Sequence, residues 1–283
     1  MINERTLPYL LLAPSVAFLI VFFAWPLVEA FVVALTDTSG AWSLDNFETM
    51  AADIYFRDAL VNTLLLVIVV VPLQLAFALA MAVLLRQLHA GRDLYLYVWT
   101  IPLGISDLAA GIVWLALLSE RGYINTVLAG LGLIEGPELW LSYESPWALF
   151  VAVVIAEIWR ATAIVLVILV AGMQLIPKEY DEAAEIFGAG RWQRFVKITL
   201  PIMKPSIQTA LILRTILAFE VFAVVVALGG RDLPVLVSEA YFWQFEYQDS
   251  GVASAYAVLI LAISMLATFI YLRVLRVREE QLA

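Results

Sequence analysis

Long apolar runs dominate the pattern of hydrophobic and polar positions along this 283-residue chain. A helix that crosses a bilayer needs about 20 mainly apolar residues, because the hydrocarbon core is about 30 Å thick. Six runs reach this length, and none alternates between apolar and polar residues as a barrel strand would. They cover residues 7–35, 60–85, 94–118, 147–176, 205–228 and 252–272. The pattern therefore predicts an all-α polytopic membrane protein with six transmembrane helices, in which residues 1–283 form a single transmembrane domain.

The composition supports the membrane class and removes several others. The chain is 64% hydrophobic and only 14% charged, which leaves too little polar surface to cover a soluble globule. It has no cysteine and one histidine, so a disulfide framework, a cysteine-based zinc site and a thiol nucleophile are excluded, and no metal site is expected. The formal net charge of −9 argues against a nucleic-acid partner.

Several catalytic signatures are missing from the sequence. It contains no G-x-x-x-x-G-K-[ST] loop that would cradle nucleotide phosphates, and it lacks the H-E-x-x-H and G-x-S-x-G hydrolase patterns. We therefore expect a protein that is not an enzyme and that depends on partner subunits for any energy from ATP.

The positions of lysine and arginine predict the orientation in the membrane. With the N-terminus inside, the inner side holds eleven basic residues and the outer side holds three, while Arg160 and Arg214 lie within the apolar runs. Both termini are therefore predicted to be cytoplasmic. The same orientation gives the outer loops thirteen acidic residues. We expect this acidic face either to meet a basic rim on a partner protein or to reflect a saline habitat.

The only sizeable inner loop, residues 173–204, has the pattern of a helical hairpin. Pro177 suits the first position of a helix, and Gly188 and Gly190 allow a tight turn between the two arms. The apolar face of the first arm is formed by Tyr180, Ala183, Ala184 and Phe187. Taken by itself, this pattern also fits an amphipathic hairpin that lies on the membrane surface without a partner.

A specific motif lies within this loop. Glu182-Ala183-Ala184 is followed after three residues by Gly188, and after nine more by Ile198-Thr199-Leu200-Pro201. This arrangement resembles the EAA signature of ABC importer permeases. The resemblance implies that residues 173–204 form a cytoplasmic coupling helix that docks on a separate ATP-binding subunit. The ATPase-coupling residues would be Glu182, Ala183, Ala184, Gly188, Ile198, Leu200 and Pro201. Phe187 departs from the carbohydrate branch, where an aspartate often precedes the glycine.

Weaker motifs extend the resemblance over nearly the whole chain. They include Leu10-Leu11-Leu12-Ala13-Pro14, Trp25-Pro26, Asn62-Thr63 and Gly229-Gly230. Together they are similar to the first permease of the maltose, glycerol-phosphate and trehalose importers. The resemblance implies the transmembrane domain of a type I ABC importer in the cytoplasmic (inner) membrane of a prokaryote.

The implied partners follow from the same resemblance. They are a second homologous permease, two ATP-binding subunits, an extracytoplasmic solute-binding protein and the lipid bilayer. The small-molecule substrate would be a carbohydrate or related polyol. No cofactor is expected in this chain, because the partner ATPase would bind ATP and magnesium.

Ionisable residues inside the apolar runs are candidates for the substrate path. A charge in the middle of a bilayer is costly and normally faces a partner or a water-filled cavity. The candidates are Asp107, Glu157, Arg160 and Glu220. Glu157 and Arg160 are three residues apart and share a helix face. They either form a self-satisfying ion pair or line the path and hydrogen-bond sugar hydroxyls.

Two further interpretations stay open. The aromatic segment 241–247 is either an interfacial belt or a surface for the binding protein or the substrate. The whole chain could alternatively be a gradient-driven carrier or channel that uses the buried Asp, Glu and Arg residues as a proton relay. ATP depletion would stop uptake by the importer, whereas a proton uncoupler would stop uptake by the carrier.

Overall fold

The computed structural model describes residues 7–88 and 90–275 of the chain. Three of the basic residues used to predict the orientation, Arg5, Arg276 and Arg278, lie outside the described residues. The described part is helical, and its only β feature is an isolated bridge between Thr36 and Trp42. This architecture agrees with the all-α class that the sequence predicts.

The helices follow one another closely along the chain. The first half contains α1 (Leu7–Leu19), a π-helical turn (Ile20–Ala24), α2 (Trp25–Ala34), α3 (Asp45–Ala52), α4 (Phe56–Gln87), α5 (Arg92–Thr100), a 3-10 turn (Ile101–Gly104), α6 (Asp107–Leu118) and α7 (Tyr123–Gly130). The second half contains α8 (Pro146–Gln174), α9 (Lys178–Ile186), α10 (Arg191–Arg194), a π-helical turn (Phe195–Thr199), α11 (Leu200–Ile202), α12 (Lys204–Phe219), α13 (Ala223–Gly229), α14 (Leu236–Phe245) and α15 (Ser250–Val274).

Four continuous helices are long and apolar enough to cross a membrane. They are Tyr9–Ala34, Phe56–Gln87, Pro146–Gln174 and Ser250–Val274. Two bent helix pairs bring the number to as many as six when each pair is counted as one span. These pairs are Arg92–Gly104 with Asp107–Gly130, bent by 97°, and Arg191–Ile202 with Lys204–Phe219, bent by 68°.

The third predicted run, residues 94–118, is broken rather than continuous. Ile105 has an extended backbone, and the Ser106 side chain caps α6 by accepting a hydrogen bond from the Ala109 N–H at 3.2 Å. Such a cap satisfies one of the free N–H groups at a helix start and so fixes where the new helix begins. The break places Asp107 in the first turn of α6.

The fifth predicted run, residues 205–228, is also broken. α12 ends at Phe219 and α13 begins at Ala223, although no proline or glycine lies between them. Helix α13 packs closely against α6, where Gly111 allows the two backbones to approach. A Cβ atom added at Gly111 would lie 2.6 Å from the Ala227 Cβ, so a larger residue would not fit there.

The described chain divides into two compact units. The first contains the described residues up to Arg57 together with Leu236–Ala262, and the second contains Asp58–Val235 together with the described residues from Ile263 onward. In the second unit α8 packs against α5, α6, α12 and α13, and together with α4 it contributes to both buried apolar clusters. One cluster surrounds Leu149 and Val153, and the other surrounds Leu166 and Leu169.

Polar side chains hold the first unit together. The Asn46 amide donates hydrogen bonds to three carbonyl oxygens at the end of α2, at 2.9 to 3.2 Å. Asp53 Oδ2 accepts hydrogen bonds from Trp243 Nε1 at 2.7 Å and from the Tyr256 hydroxyl at 3.0 Å. Asp53 thus joins the segment after α3 to α14 and α15. Within the aromatic segment, Phe245 remains largely exposed.

Candidate functional site

A network of charged side chains lies inside the second unit, and the Glu157 carboxylate on α8 is at its centre. Glu157 Oε2 accepts a hydrogen bond from Arg214 Nη2 of α12 at 2.8 Å. It also accepts from Arg160 Nη2, one turn further along α8, at 3.2 Å. Arg160 Nη1 donates a further hydrogen bond to Asp107 Oδ1 of α6 at 2.6 Å. Three of the four sequence-predicted substrate-path residues are therefore brought together.

Gln74 adds a fourth helix to this cluster. Its side chain is wholly buried on α4, and its Nε2 donates a hydrogen bond to the Glu157 carbonyl oxygen at 2.7 Å. Its Oε1 accepts a hydrogen bond from Arg214 Nε. We call Gln74, Asp107, Glu157, Arg160 and Arg214 the charge network. It ties together α4, α6, α8 and α12.

The charge network is electrically balanced and graded in exposure. Two carboxylates face two guanidinium groups, so the opposite charges compensate for the loss of water around them. The Arg214 and Glu157 side chains are only 1% and 2% exposed. The Arg160 side chain is 16% exposed and that of Asp107 is 51% exposed. Asp107 is therefore the most exposed charged member of the network, and Arg160 is the next.

One donor of the charge network has no acceptor. Arg214 Nη1 is buried and makes no hydrogen bond within the described part of the chain. Arg214 lines a crevice together with Leu66, Val70 and Ala218, and this crevice has no room for a water molecule. A buried N–H without an acceptor costs free energy, and water cannot supply the missing acceptor in this crevice.

Glu220, the fourth predicted substrate-path residue, does not join this network. It is exposed at the C-terminal end of α12 and forms no ion pair with any described residue. Conversely, two residues outside the four main candidates join the network: Gln74, a lower-ranked candidate whose amide was expected to bond a neighbouring helix, and Arg214, a deep charge expected to need its own partner. The available signal was a lone arginine in an apolar run, which requires an acceptor on a neighbouring helix.

The second candidate site is the hairpin of residues 173–204, which we call the EAA hairpin. Its first arm is α9, and Pro177 stands at the N-cap of this helix rather than at its first helical position. Glu182 and Ala183 are exposed on α9, and Ala184 is half-buried. Ile186 and Phe187, at 85% and 89% exposed, form an uncovered apolar end of the arm.

Gly188 ends α9 in a defined capping geometry. Its φ angle is +77°, in the left-handed region that side chains disfavour. The Gly188 N–H donates to the Glu185 carbonyl oxygen at 2.9 Å, and the Ala189 N–H donates to the Ala184 carbonyl oxygen at 2.9 Å. This pair of hydrogen bonds is the Schellman motif, in which a glycine satisfies the last carbonyl groups of a helix.

The second arm of the EAA hairpin leads into the bent span. Ile198 lies in the π-helical turn Phe195–Thr199, and Leu200 and Pro201 lie in α11. The chain then bends before α12, next to the buried Met203. The seven sequence-predicted coupling residues therefore lie on both arms of one hairpin.

Two ion pairs stabilise the EAA hairpin, one to a neighbouring helix and one between its arms. Arg86 at the end of α4 pairs with Asp181 of α9 at 2.7 Å, and Arg194 of α10 pairs with Glu185 of α9 at 3.4 Å. The first pair links the hairpin to a spanning helix, and the second links its two arms. A cleft of about 580 Å³ lies between the hairpin and the ends of α4 and α8.

Comparison with known proteins identifies the class. The family model of the binding-protein-dependent transport system inner membrane component matches residues 56–277, and the chain belongs to this family. It is 34% identical to the sulfoquinovosyl glycerol transport system permease protein SmoG of Agrobacterium fabrum, over 98% of this chain and 93% of that protein. It is 30% identical to the trehalose/maltose transport system permease protein MalF of Thermococcus litoralis, over 98% of this chain and 96% of that protein.

A solved structure shares the fold. A chain of the bacterial ABC transporter involved in the import of the acidic polysaccharide alginate superposes with a TM-score of 0.85 at 20% sequence identity, over 96% of both chains. The protein is thus a multi-pass inner-membrane permease subunit of a binding-protein-dependent ABC importer, with the type I importer fold. Its family is a transport component and not an enzyme. Family membership also disfavours the gradient-driven carrier.

Proposed function

We propose that this permease carries a sugar or related polyol across the membrane as half of a translocation path. The other half would come from a second homologous permease, and two ATP-binding subunits would bind ATP and magnesium and drive the cycle. Relatives named for sulfoquinovosyl glycerol and for trehalose/maltose support a carbohydrate substrate, because the similarity covers nearly the whole chain. Both termini would lie in the cytoplasm, as the distribution of basic residues predicts.

The charge network is the observation that carries the proposed substrate path. Sugar hydroxyl groups both donate and accept hydrogen bonds, and carboxylates and guanidinium groups offer the complementary acceptors and donors. Asp107 and Arg160 are the partly exposed members, and they would meet the solute first. Glu157 and Arg214 lie deeper and would be reached only when the helices separate. Exposed Glu220 remains a candidate for an earlier or later point on the path.

The EAA hairpin is the proposed contact with the ATP-binding subunit. Exposed Ile186 and Phe187 would supply apolar contact area, while small Ala183 would permit close approach. Movement of the hairpin would pass to α4 through the pair between Arg86 and Asp181, and to the bent span through α11. Closure of the ATP-binding subunits would thereby reach the helices that hold the charge network.

Uptake into membrane vesicles tests the proposal. The importer, expressed with its partner subunits, should accumulate at least one member of a labelled panel that contains maltose, trehalose and glycerol. Uptake should stop when ATP is depleted and should continue in the presence of a proton uncoupler, since ATP and not the proton gradient drives transport. Uptake that stopped with the uncoupler alone would contradict the proposal, as would failure to transport any carbohydrate or polyol.

A further inference from the structure

We propose that Asp107 is a built-in competitor of the transported solute at Arg160. Its carboxylate occupies the guanidinium N–H that a solute oxygen takes during transport. The inference rests on the proposed substrate path and adds a role to it, because it assigns Asp107 to the tuning of solute affinity and Arg160 to solute binding.

Access decides which cation can meet the solute. Within the apolar runs the sequence has two cations, Arg160 and Arg214. The Arg214 side chain is 1% exposed and its Nε and Nη2 groups are already bonded to Gln74 and Glu157. Arg160 is the more exposed of the two, and it reaches toward the half-exposed start of α6. Arg160 is therefore the cation that an arriving solute meets.

The donors of Arg160 are divided between a fixed and a replaceable partner. Nε and Nη2 point to the Glu157 carboxylate, at 3.2 to 3.4 Å, and Glu157 is buried and bonded to Arg214 as well. Nη1 points to Asp107 alone, at 2.6 Å. If Asp107 leaves, the guanidinium group stays in place and its Nη1 amino group is free to donate. A donor that is already oriented loses little entropy when it binds an acceptor.

Asp107 is the member of the charge network that can leave. Its side chain is 51% exposed, so the packing of this chain leaves the carboxylate free to separate from Arg160. It lies in the first turn of α6, directly after the break in the third span. The pair between Asp107 and Arg160 is also less buried than the pair between Glu157 and Arg214, whose side chains are 2% and 1% exposed. A solute oxygen can thus displace this carboxylate, whereas it cannot displace the buried Glu157.

Displacement also changes the local charge in favour of the solute. With Asp107 bound, two carboxylates balance two guanidinium groups. Once it moves away, Glu157 faces Arg160 and Arg214 alone and the remaining group has a net positive charge. A solute oxygen, which carries partial or full negative charge, then becomes the favoured partner. The Asp107 carboxylate occupies Arg160 Nη1 when no solute is present, and this competition lowers the apparent affinity for the solute.

The shielding of Arg160 can be measured without knowledge of the solute. Phenylglyoxal modifies accessible guanidinium groups, and mass spectrometry of the reconstituted importer reports the modification of each arginine peptide. We expect Asp107→Ala to raise the rate of phenylglyoxal modification at Arg160 several-fold. Asp107→Glu, which keeps a carboxylate, should leave this rate close to that of the wild type. Arg214 should stay unmodified in each variant. Asp93→Ala is the matched control, because Asp93 is an exposed acid in the first turn of α5. Equal Arg160 rates in Asp107→Ala and the wild type would overturn the inference.

Competition itself is measured by uptake. With maltose or trehalose, whichever the importer accepts, Asp107→Ala should lower the half-saturating concentration several-fold, while Arg160→Gln should raise it. An unchanged or higher half-saturating concentration in Asp107→Ala would contradict the competitor role. If the importer takes up no carbohydrate, the proposed function fails, and the phenylglyoxal rates still decide whether Asp107 shields Arg160.

Discussion

At the scale of single residues, the buried Glu157 carboxylate determines how the two arginines of the spans are neutralised. It accepts hydrogen bonds from Arg160 and Arg214, and both it and Arg214 are almost fully buried. A buried pair gains little over a well-packed apolar pair, but removal of one partner leaves an uncompensated charge. The two partners are not equivalent here, because Glu157 serves two cations.

This asymmetry predicts unequal effects of mutation. Glu157→Gln should destabilise the protein by about 3–5 kcal/mol, since it leaves Arg214 buried without a counter-charge. Arg214→Met should destabilise the protein less, because Glu157 keeps its ion pair with Arg160 and methionine fills part of the space of the arginine side chain. The double variant should be more stable than Glu157→Gln alone. The thermal unfolding midpoint of the purified importer in detergent measures the stability of each of these three variants.

Glu29→Gln is the control for this series. Glu29 lies on α2, is exposed and has no ion pair among the described residues, so its neutralisation should leave the midpoint unchanged. A Glu157→Gln midpoint equal to that of Glu29→Gln would show that the carboxylate does not hold the network together.

At the scale of elements, the backbone conformation explains why the EAA motif has a glycine at position 188. Gly188 adopts a φ of +77° and closes α9 with two Schellman hydrogen bonds. An added Cβ would meet no atom within 4 Å. The backbone conformation, and not crowding, therefore requires glycine at this position. The cap fixes the direction in which the chain leaves α9, and so the angle between the arms.

We expect the loss of uptake in Gly188 variants to depend on how well the new residue adopts the left-handed backbone conformation. Gly188→Asn should retain most ATP-driven uptake, Gly188→Ala should lose part of it, and Gly188→Val should lose nearly all. A left-handed residue with a Cβ costs about 1–2 kcal/mol, and asparagine tolerates this region best. Uptake is compared with the amount of ATP-binding subunit that copurifies with each variant.

Gly190 provides a matched control two residues away. Its φ is −66° and its surroundings are also open, so Gly190→Ala should behave like the wild type. If Gly188→Val kept both uptake and the copurifying subunit, the proposed docking role of the EAA hairpin would be wrong.

At the scale of the whole molecule, the predicted orientation divides the charge by side. The predicted outer loops contain thirteen acidic and three basic residues, whereas the predicted inner side is basic. The chain average of −9 conceals this division. The acids predicted to lie on the outer side include Asp45 and Glu48 of the short helix α3 and Asp58 in the first turn of α4.

If the acidic face meets a basic rim of the solute-binding protein, salt should weaken docking. The apparent dissociation constant for the binding protein should rise several-fold when ionic strength increases from about 0.01 M to about 1 M, because the screening length falls from about 30 Å to about 3 Å. Titration onto the importer in nanodiscs measures this. An affinity that did not change with salt would leave adaptation to a saline habitat as the explanation of the charge.

Local sequence signals decide which helices and breaks could be predicted from the sequence alone. The four long helices follow from uninterrupted apolar runs, and the EAA hairpin follows from its glycines and its motif. The break in the third run also has a local signal, because Ser106 is a favourable N-cap residue directly before acidic Asp107. The break after Phe219 carries none, because its cause is the packing of α13 against α6.

The sequence by itself determined the membrane class, the six apolar runs and the position of the EAA hairpin. It also identified the ionisable residues, because charges in apolar runs stand out. Only the tertiary structure decided their partners. Gln74 and Arg214 are 140 positions apart, and Asp107 and Arg160 are 53 apart. Periodicity fixes which face of one helix a side chain occupies, whereas the pairing of faces depends on how the helices pack.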